Sequence, residues 1–176
     1  MNQEQLAHVL RAAAKLVGDP GILVIGSQAI LGTYDDADLP DEATRSVEAD
    51  IVFFDDPDDD KADQVDGVIG EESAFHQTHG YYGQGVSLTT AVLPVGWRER
   101  LVPFEREDAA PATASCLELY DIAAAKLVAG REKDYEYVGA LIGSGLIQVA
   151  VLRQRCELIP GPQAVRVLRW FDRDRP

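Results

Sequence analysis

Apolar residues recur at helical spacing over residues 3–17, where Leu6, Val9, Leu10, Ala13, Leu16 and Val17 share one face. The pattern predicts an amphipathic helix, stopped by Gly18-Asp19-Pro20-Gly21. Residues 22–25 form a continuous apolar run, as a buried strand requires, followed by Gly26-Ser27 and a helical turn over 28–31. A polar loop over 33–44 carries five acids and Pro40, and residues 50–54 then read as a second apolar strand. The spacing next predicts a helix over 58–70 with aspartates at its N-terminal end, where the helix dipole favours negative charge. A glycine- and tyrosine-rich turn is expected over 80–85, with strands over 86–92 and 101–104. Residues 117–119 read as an extended lead-in to a helix over 121–129, which Gly130 interrupts. A further helix over 132–142 is expected to bury Tyr135, Val138, Leu141 and Ile142 and to end at Gly143 and Gly145. Residues 147–173 read as helical around a Pro160-Gly161-Pro162 break.

A helix, a strand-rich middle and then helices, with no repeat and no linker, predict one α+β domain over residues 1–176. Its architecture is a small mixed β-sheet flanked by helices, with a core over about 20–145 and a helical C-terminal extension over 146–176. The length suits one domain with a real core. No apolar run approaches the roughly 20 residues that cross a bilayer, and the N-terminus lacks the basic start and apolar core of a signal peptide. The expected location is therefore cytoplasmic, away from membranes, and Cys116 and Cys156 are expected as buried thiols.

The net charge of -14 argues against a general nucleic-acid binder. The charge is uneven, however. Residues 55–66 carry seven Asp against one Lys, whereas the tail places arginines at 153, 155, 166, 169, 173 and 175. Those arginines could contact RNA or simply solvate a helix.

Three features carry candidate chemistry. Glu48-Ala49-Asp50 opens the second strand, and side chains two apart on a strand share a face. Two carboxylates held together repel unless a cation sits between them, and oxygen-only ligands suit a hard ion such as Mg²⁺ or Mn²⁺. An isolated acid-x-acid is more often a solvated strand entrance. Gly26-Ser27 combines close backbone approach with a helix start and a hydroxyl, which suits a phosphate; it also suits an ordinary strand-to-helix turn. The third feature runs from Asp121 to Asp134, where Lys126, Arg131 and Lys133 gather with acids at a helix break. Lys126 could meet a triphosphate and Asp134 could orient it or add a carboxylate; routine ion pairing is the plain alternative. His76 and His79 lack the further ligands of a zinc site and read as solvated or capping groups. The acidic run at 56–60 lacks the glycine and glutamate of a calcium loop.

Taken in order, the apolar strand ending in Gly26-Ser27 and the Glu48-x-Asp50 opening the next resemble the nucleotidyltransferase superfamily. Ser46, two residues before Glu48, resembles the Ser/Thr-x-Asp-x-Asp signature of the branch holding AbiEii-type and MenT-type toxins. Asp121 to Leu127 and Arg131-Glu132-Lys133-Asp134 are similar to that branch's later helix, and Gly80-Tyr81-Tyr82 and Gly96-Trp97-Arg98 also recur in its short bacterial members. The resemblance implies that Glu48 and Asp50 hold the metal and that Gly26, Ser27, Ser46 and Arg131 seat a nucleoside triphosphate. It implies that Lys126 neutralises developing charge and that Asp134 positions it. An RNA end such as tRNA as acceptor, and an antitoxin protein as partner, follow from the same resemblance; the net charge of -14 counts against a broad RNA surface and leaves a protein or small-molecule acceptor open. The chain departs from the pattern at Glu48, where Asp is usual, and in having no acid over 86–92, where many members carry a third. A nucleotide- or partner-binding module that has lost transfer is the second reading.

Overall fold

The computed structural model describes residues 1–173. Helix α1 spans Gln3–Val17. Asn2 caps it by accepting from the Gln5 amide at 2.8 Å while the Gln5 side chain accepts from the Asn2 amide at 2.9 Å, a reciprocal capping box. Its apolar stripe of Leu6, Val9 and Leu10 is buried. Strand β1 (Gly21–Ile25) leads into a 3₁₀ helix over Ser27–Gly32. A short helix α2 (Asp41–Thr44) precedes strand β2 (Glu48–Phe53). Helices α3 (Asp60–Ile69) and α4 (Ala74–His79) follow, then strands β3 (Tyr82–Gly85), β4 (Val102–Phe104) and β5 (Thr113–Cys116). Four helices end the described chain: α5 (Leu119–Ala129), α6 (Glu132–Gly143), α7 (Val149–Glu157) and α8 (Gln163–Arg173).

The sheet is mixed and ordered β3-β2-β1-β5-β4. Strands β1 and β2 are antiparallel, β2 and β3 parallel, β1 and β5 parallel, and β4 and β5 antiparallel. This is the α+β architecture that the element order predicts. Alternation sorts β2 into two faces. Ala49, Ile51 and Phe53 face the core, whereas Glu48 and Asp50 open the other face. One hydrophobic core is continuous from Leu6 on α1 to Phe171 on α8. The C-terminal helices thus pack on the same core as the sheet, and Trp170 stacks on Tyr135 of α6.

Several expectations change. Residues 80–85 form no turn beyond Gly80: Tyr82–Gly85 is a strand, paired in register with Glu48–Ile51. Its glycines are there for the helices above it. A Cβ at Gly85 would stand 1.8 Å from the Ala62 carbonyl oxygen, and one at Gly83 would press on Val9 and Ile69. Residues 86–92 are not a strand. Val86 still donates to the Ile51 carbonyl at 2.9 Å, but Ser87 then caps a 3₁₀ turn over Leu88–Thr90. Serine and threonine hydroxyls compete with the ladder there, with Thr90 Oγ1 donating to the Ser87 carbonyl at 2.8 Å. Strand β5 precedes the expected lead-in at 117–119, and its short polar run gave no strand signal. On α6 the buried face is Asp134, Tyr137, Val138 and Leu141; Tyr135 is 40% exposed and Ile142 half-buried. Turning Asp134 inward fixes that face, because i, i+3, i+4 and i+7 lie together on a helix.

The glycine argument is testable in urea melts. Gly85→Ala is expected to lose about 3 kcal/mol, because the neighbour is backbone and cannot step aside. Gly139→Ala, on α6 where a Cβ would meet nothing within 4 Å, is expected to gain about 0.5–1 kcal/mol.

Candidate active site

The site begins at a corner that two residues share. Ile25 pairs with Asp50 across β1 and β2, so the next residue, Gly26, lies beside the Asp50 carboxylate. Gly26 has φ 70 and ψ -160, and a Cβ there would stand 1.9 Å from Asp50 Oδ2. Only glycine fits. Ser27 then opens the 3₁₀ helix, and its carbonyl accepts from the Tyr137 hydroxyl at 3.0 Å. At the other side of the corner, Ser46 Oγ accepts from the Glu48 amide at 3.2 Å and donates to the Glu48 carbonyl at 3.3 Å. Ser46 thereby braces the first residue of β2.

Helices α5 and α6 bring the cations. Gly130, with φ 67, ends α5 and lets the chain reverse into α6. Asp134 is fully buried just beyond that turn. Lys126 Nζ lies 3.1 Å from its Oδ1, and Arg131 Nε lies 2.7 Å from its Oδ2, with the Arg131 amide also donating at 3.2 Å. Burial pushes the Asp134 carboxyl up, but the Arg131 hydrogen bond and the Lys126 charge outweigh it and hold it below the usual carboxylate range. Lys126 also lies over the Tyr137 ring, 5.3 Å from its centroid. Asp134 therefore fixes both cations, and it lines neither of the two cavities described next.

Two cavities meet at Asp50, Lys126 and Arg131, which line both. The first, about 260 Å³, has mainly aliphatic walls, including Ile25, Val92, Leu117 and Val128. The second, about 230 Å³, is polar, with Ser27, Ser46, Arg45, Lys133 and Glu48. Gly26 borders the first. Of the residues singled out from sequence, Gly26, Ser27, Ser46, Glu48, Asp50, Lys126 and Arg131 thus gather at one place, with Asp134 supporting two of them. Arg45, Lys133 and Tyr137 also belong to the polar cavity. Lys133 stood within the Arg-x-Lys-Asp run, but nothing in the chain order marked Arg45 or Tyr137.

Burial and then the neighbouring Glu48 push the Asp50 carboxyl up to about 7, with Lys126 and Arg131 pulling the other way. Tyr82, paired with Glu48 in the β2–β3 register, is pushed up to about 12 by burial and by Glu48, Glu71 and Asp50. The corner is thus a focus of negative potential, and its oxygen donors fit a hard divalent cation that would relieve the repulsion. Among the described residues no three His, Cys, Asp or Glu side chains cluster so as to hold a metal, so Asp134 does not join Glu48 and Asp50 as a third acid.

Other candidates have structural partners. Asp121 is fully buried and held by Arg100 Nε at 2.8 Å and Arg155 Nη1 at 2.8 Å, which pins α5 to the 94–100 loop and to α7. His76 accepts from the Glu72 amide at 3.1 Å, and His79 packs on His8 and Phe75. Cys116 and Cys156 are free and buried. Among the tail arginines, Arg153 pairs with Asp172, Arg155 with Glu118 and Asp121, and Arg166 donates to the Val128 carbonyl. Arg175 and the Arg173 side chain lie outside the described residues. Among those residues no helix is long and apolar enough to cross a membrane.

Asp50 binds its proton more tightly folded than unfolded, so its contribution to stability falls as pH rises from 3.8 to about 7. Asp50→Asn lacks that penalty. In metal-free buffer at pH 8 the variant is expected to be more stable than the parent by about 1–2 kcal/mol, and the gap should close below pH 4. Thermal melts across that range check this; a constant gap would contradict it.

A search of the curated proteins and one of the solved structures found no match. Residues 4–159 match DUF6036, described as nucleotidyltransferase of unknown function. That match takes in α1 and α7 as well as the sheet and the whole candidate site. The chain belongs to this nucleotidyltransferase family.

Proposed function

We propose that the chain is a metal-dependent nucleotidyltransferase that moves a nucleoside monophosphate from a nucleoside triphosphate to an acceptor. One observation carries the reading. Asp50, beside Glu48, is packed against a glycine that admits no side chain, and it shares two cavities with Lys126 and Arg131. Mg²⁺ or Mn²⁺ held by Glu48 and Asp50 would supply charge neutralisation at the reacting phosphate. The rest of the work falls to the chain. Ser27 offers its hydroxyl to phosphate oxygens at the polar cavity, and Ser46 would do so by turning its O–H away from the Glu48 carbonyl. Arg131 and Lys133 supply positive charge there beside Arg45, which pairs with Glu42 and Glu136. Lys126 faces both cavities and would stabilise charge that builds on the transferring group. Asp134 lines neither of these two cavities and is a positioning residue: it holds Lys126 and Arg131 at fixed places, so little reorganisation is needed when charge develops.

A second reading has one observation in its favour. Among the described residues no third acid joins Glu48 and Asp50, which suits a module that binds a nucleotide without transferring it. Likeness to the AbiEii and MenT branch, which supports an RNA acceptor and an antitoxin partner, rests on Ser46, on the Asp121–Asp134 run and on the Gly80-Tyr81-Tyr82 and Gly96-Trp97-Arg98 stretches. In this chain Asp121 is locked in ion pairs with Arg100 and Arg155.

The readings separate in one experiment. The protein is incubated with each nucleoside triphosphate, Mg²⁺ and a mixture of total tRNA and small hydroxyl compounds, and pyrophosphate release and labelled products are followed by mass spectrometry. Transfer is expected, lost in Asp50→Ala and reduced about 100-fold or more in Lys126→Met. Binding of a triphosphate with no product from any acceptor supports the module, and no binding with or without Mg²⁺ sinks both. Asp134→Asn is expected to lower kcat by roughly 10- to 100-fold with little change in KM for the triphosphate.

A further inference from the structure

The two cavities differ in a way that speaks to the acceptor. In a displacement at phosphorus the attacking and leaving oxygens lie in line on opposite sides of the atom, so a transferase site needs two compartments meeting at the reacting phosphate. Here two cavities meet at Asp50, Lys126 and Arg131. The polar one adds Arg45 and Lys133 to the shared cations, with the carboxylates of Glu42, Glu48 and Glu136 and the hydroxyls of Ser27 and Ser46 beside them; Arg45 pairs with Glu42 and Glu136, and Lys133 has no such partner among the described residues. The other adds no cation at all: its walls are Ile25, Ala91, Val92, Leu117, Ala125 and Val128, with the Thr90 hydroxyl as a polar exception.

A polyanion needs positive charge along its path. The net charge is -14, and three arginines of the tail are engaged by the protein itself, Arg166 at the carbonyl of Val128 beside the aliphatic cavity. A cavity of about 260 Å³ lies at the small end of small-molecule sites and leaves little room for more than one compact group. The segment that forms one wall, Thr90–Val92, is a loop rather than a strand. It is tied down on its far side by Arg100, whose guanidinium holds Asp121 and the Val95 carbonyl, and by the Val95 amide donating to Leu158. The chain is thus held at Val95, just beyond this wall.

Resting on the transferase reading above, we infer that the aliphatic cavity is the acceptor site and that the acceptor is a small, uncharged molecule with an apolar body and a hydroxyl group. The triphosphate chain takes the polar cavity. The acceptor oxygen forms a bond to the α-phosphorus; the bond from that phosphorus to the bridging oxygen breaks, and pyrophosphate leaves with the electron pair. The hydroxyl proton passes to water at the open mouth of the cavity. The product is a phosphodiester of the nucleoside monophosphate and the acceptor.

Amide chemical shifts of the ¹⁵N-labelled full chain, with Mg²⁺ and α,β-methylene nucleoside triphosphates, test this, with benzyl alcohol as the acceptor probe. A triphosphate analogue is expected to move Ser27, Ser46, Arg131 and Lys133. Benzyl alcohol is expected to move Ala91, Val92, Ala125 and Val128 saturably, and with a hydrolysable triphosphate to give its nucleoside-monophosphate ester by mass spectrometry. Ala125→Leu, which fills the cavity, should weaken the benzyl alcohol response about tenfold or more and leave the triphosphate response intact. Three results overturn the inference and leave the transferase reading standing. Benzyl alcohol could fail to saturate; the triphosphate analogue could itself move Ala91, Val92 and Val128 and compete with the alcohol, making the cavity a nucleoside site; or an RNA hairpin ending in CCA could displace the alcohol. If no analogue moves Ser27 or Arg131, the transferase reading fails and this inference falls with it.

Discussion

Asp50 and Gly26 occupy the same corner of the sheet, and only one of them can have a side chain. The antiparallel register of β1 and β2 sets Asp50 opposite Ile25, and the chain then turns through a positive φ that places the Gly26 Cα against the carboxylate. Everything else at the site is arranged around that contact. Ser46 braces the strand that carries the acids, Tyr137 holds the Ser27 carbonyl, and the α5–α6 turn delivers two cations to the same place. Lys126 and Arg131 offset the repulsion between Asp50 and Glu48 only in part, since burial and Glu48 still push the Asp50 carboxyl up to about 7.

The cations are held by a different device. Asp134 is buried and its charge is compensated by Lys126 and Arg131 together. A buried carboxylate between two cations holds both in place, because without it the two positive charges would face each other uncompensated. Asp121, one helix earlier, repeats the arrangement with Arg100 and Arg155 and anchors α5 at its N-terminal end. Helix α5 is thus fastened by ion pairs near both ends while its small residues, Ala123 and Ala124, bury fully against the core. That double anchoring keeps Lys126 in register with the acids on β2 although about 75 residues of chain separate them.

Legibility in the sequence followed the length and regularity of each signal. The helix over 3–17 was legible because its apolar stripe repeats for four turns and ends at a glycine. The strands over 22–25 and 50–54 were legible as apolar runs with a glycine or acids at their ends. Strand β3 was not, since its glycines look like turn residues until the approach of α3 and α1 is known. Nor were β5, which has few β-branched residues, and the loop at 86–92, whose threonines suit a strand until their hydroxyls find local carbonyls. Reading Tyr135 as buried failed for a related reason: helical spacing defines faces, but the ion pairs of Asp134 choose which one turns inward.

By itself the sequence determined the local features by which the chain resembles nucleotidyltransferases: a Gly-Ser turn after an apolar strand, acids two apart opening the next, and a lysine and aspartate near a helix break. Those depend on residue type and spacing over a few positions, which a chain records directly. Tertiary structure alone decided the rest. It showed that Asp50 is the reason for Gly26, that Asp134 pairs with both Lys126 and Arg131, and that Arg45 and Tyr137 share the polar cavity. It also showed that an aliphatic cavity adjoins the polar one. These facts rest on strand register, helix rotation and the packing of distant segments, which no local pattern encodes because each is set by all of the contacts at once.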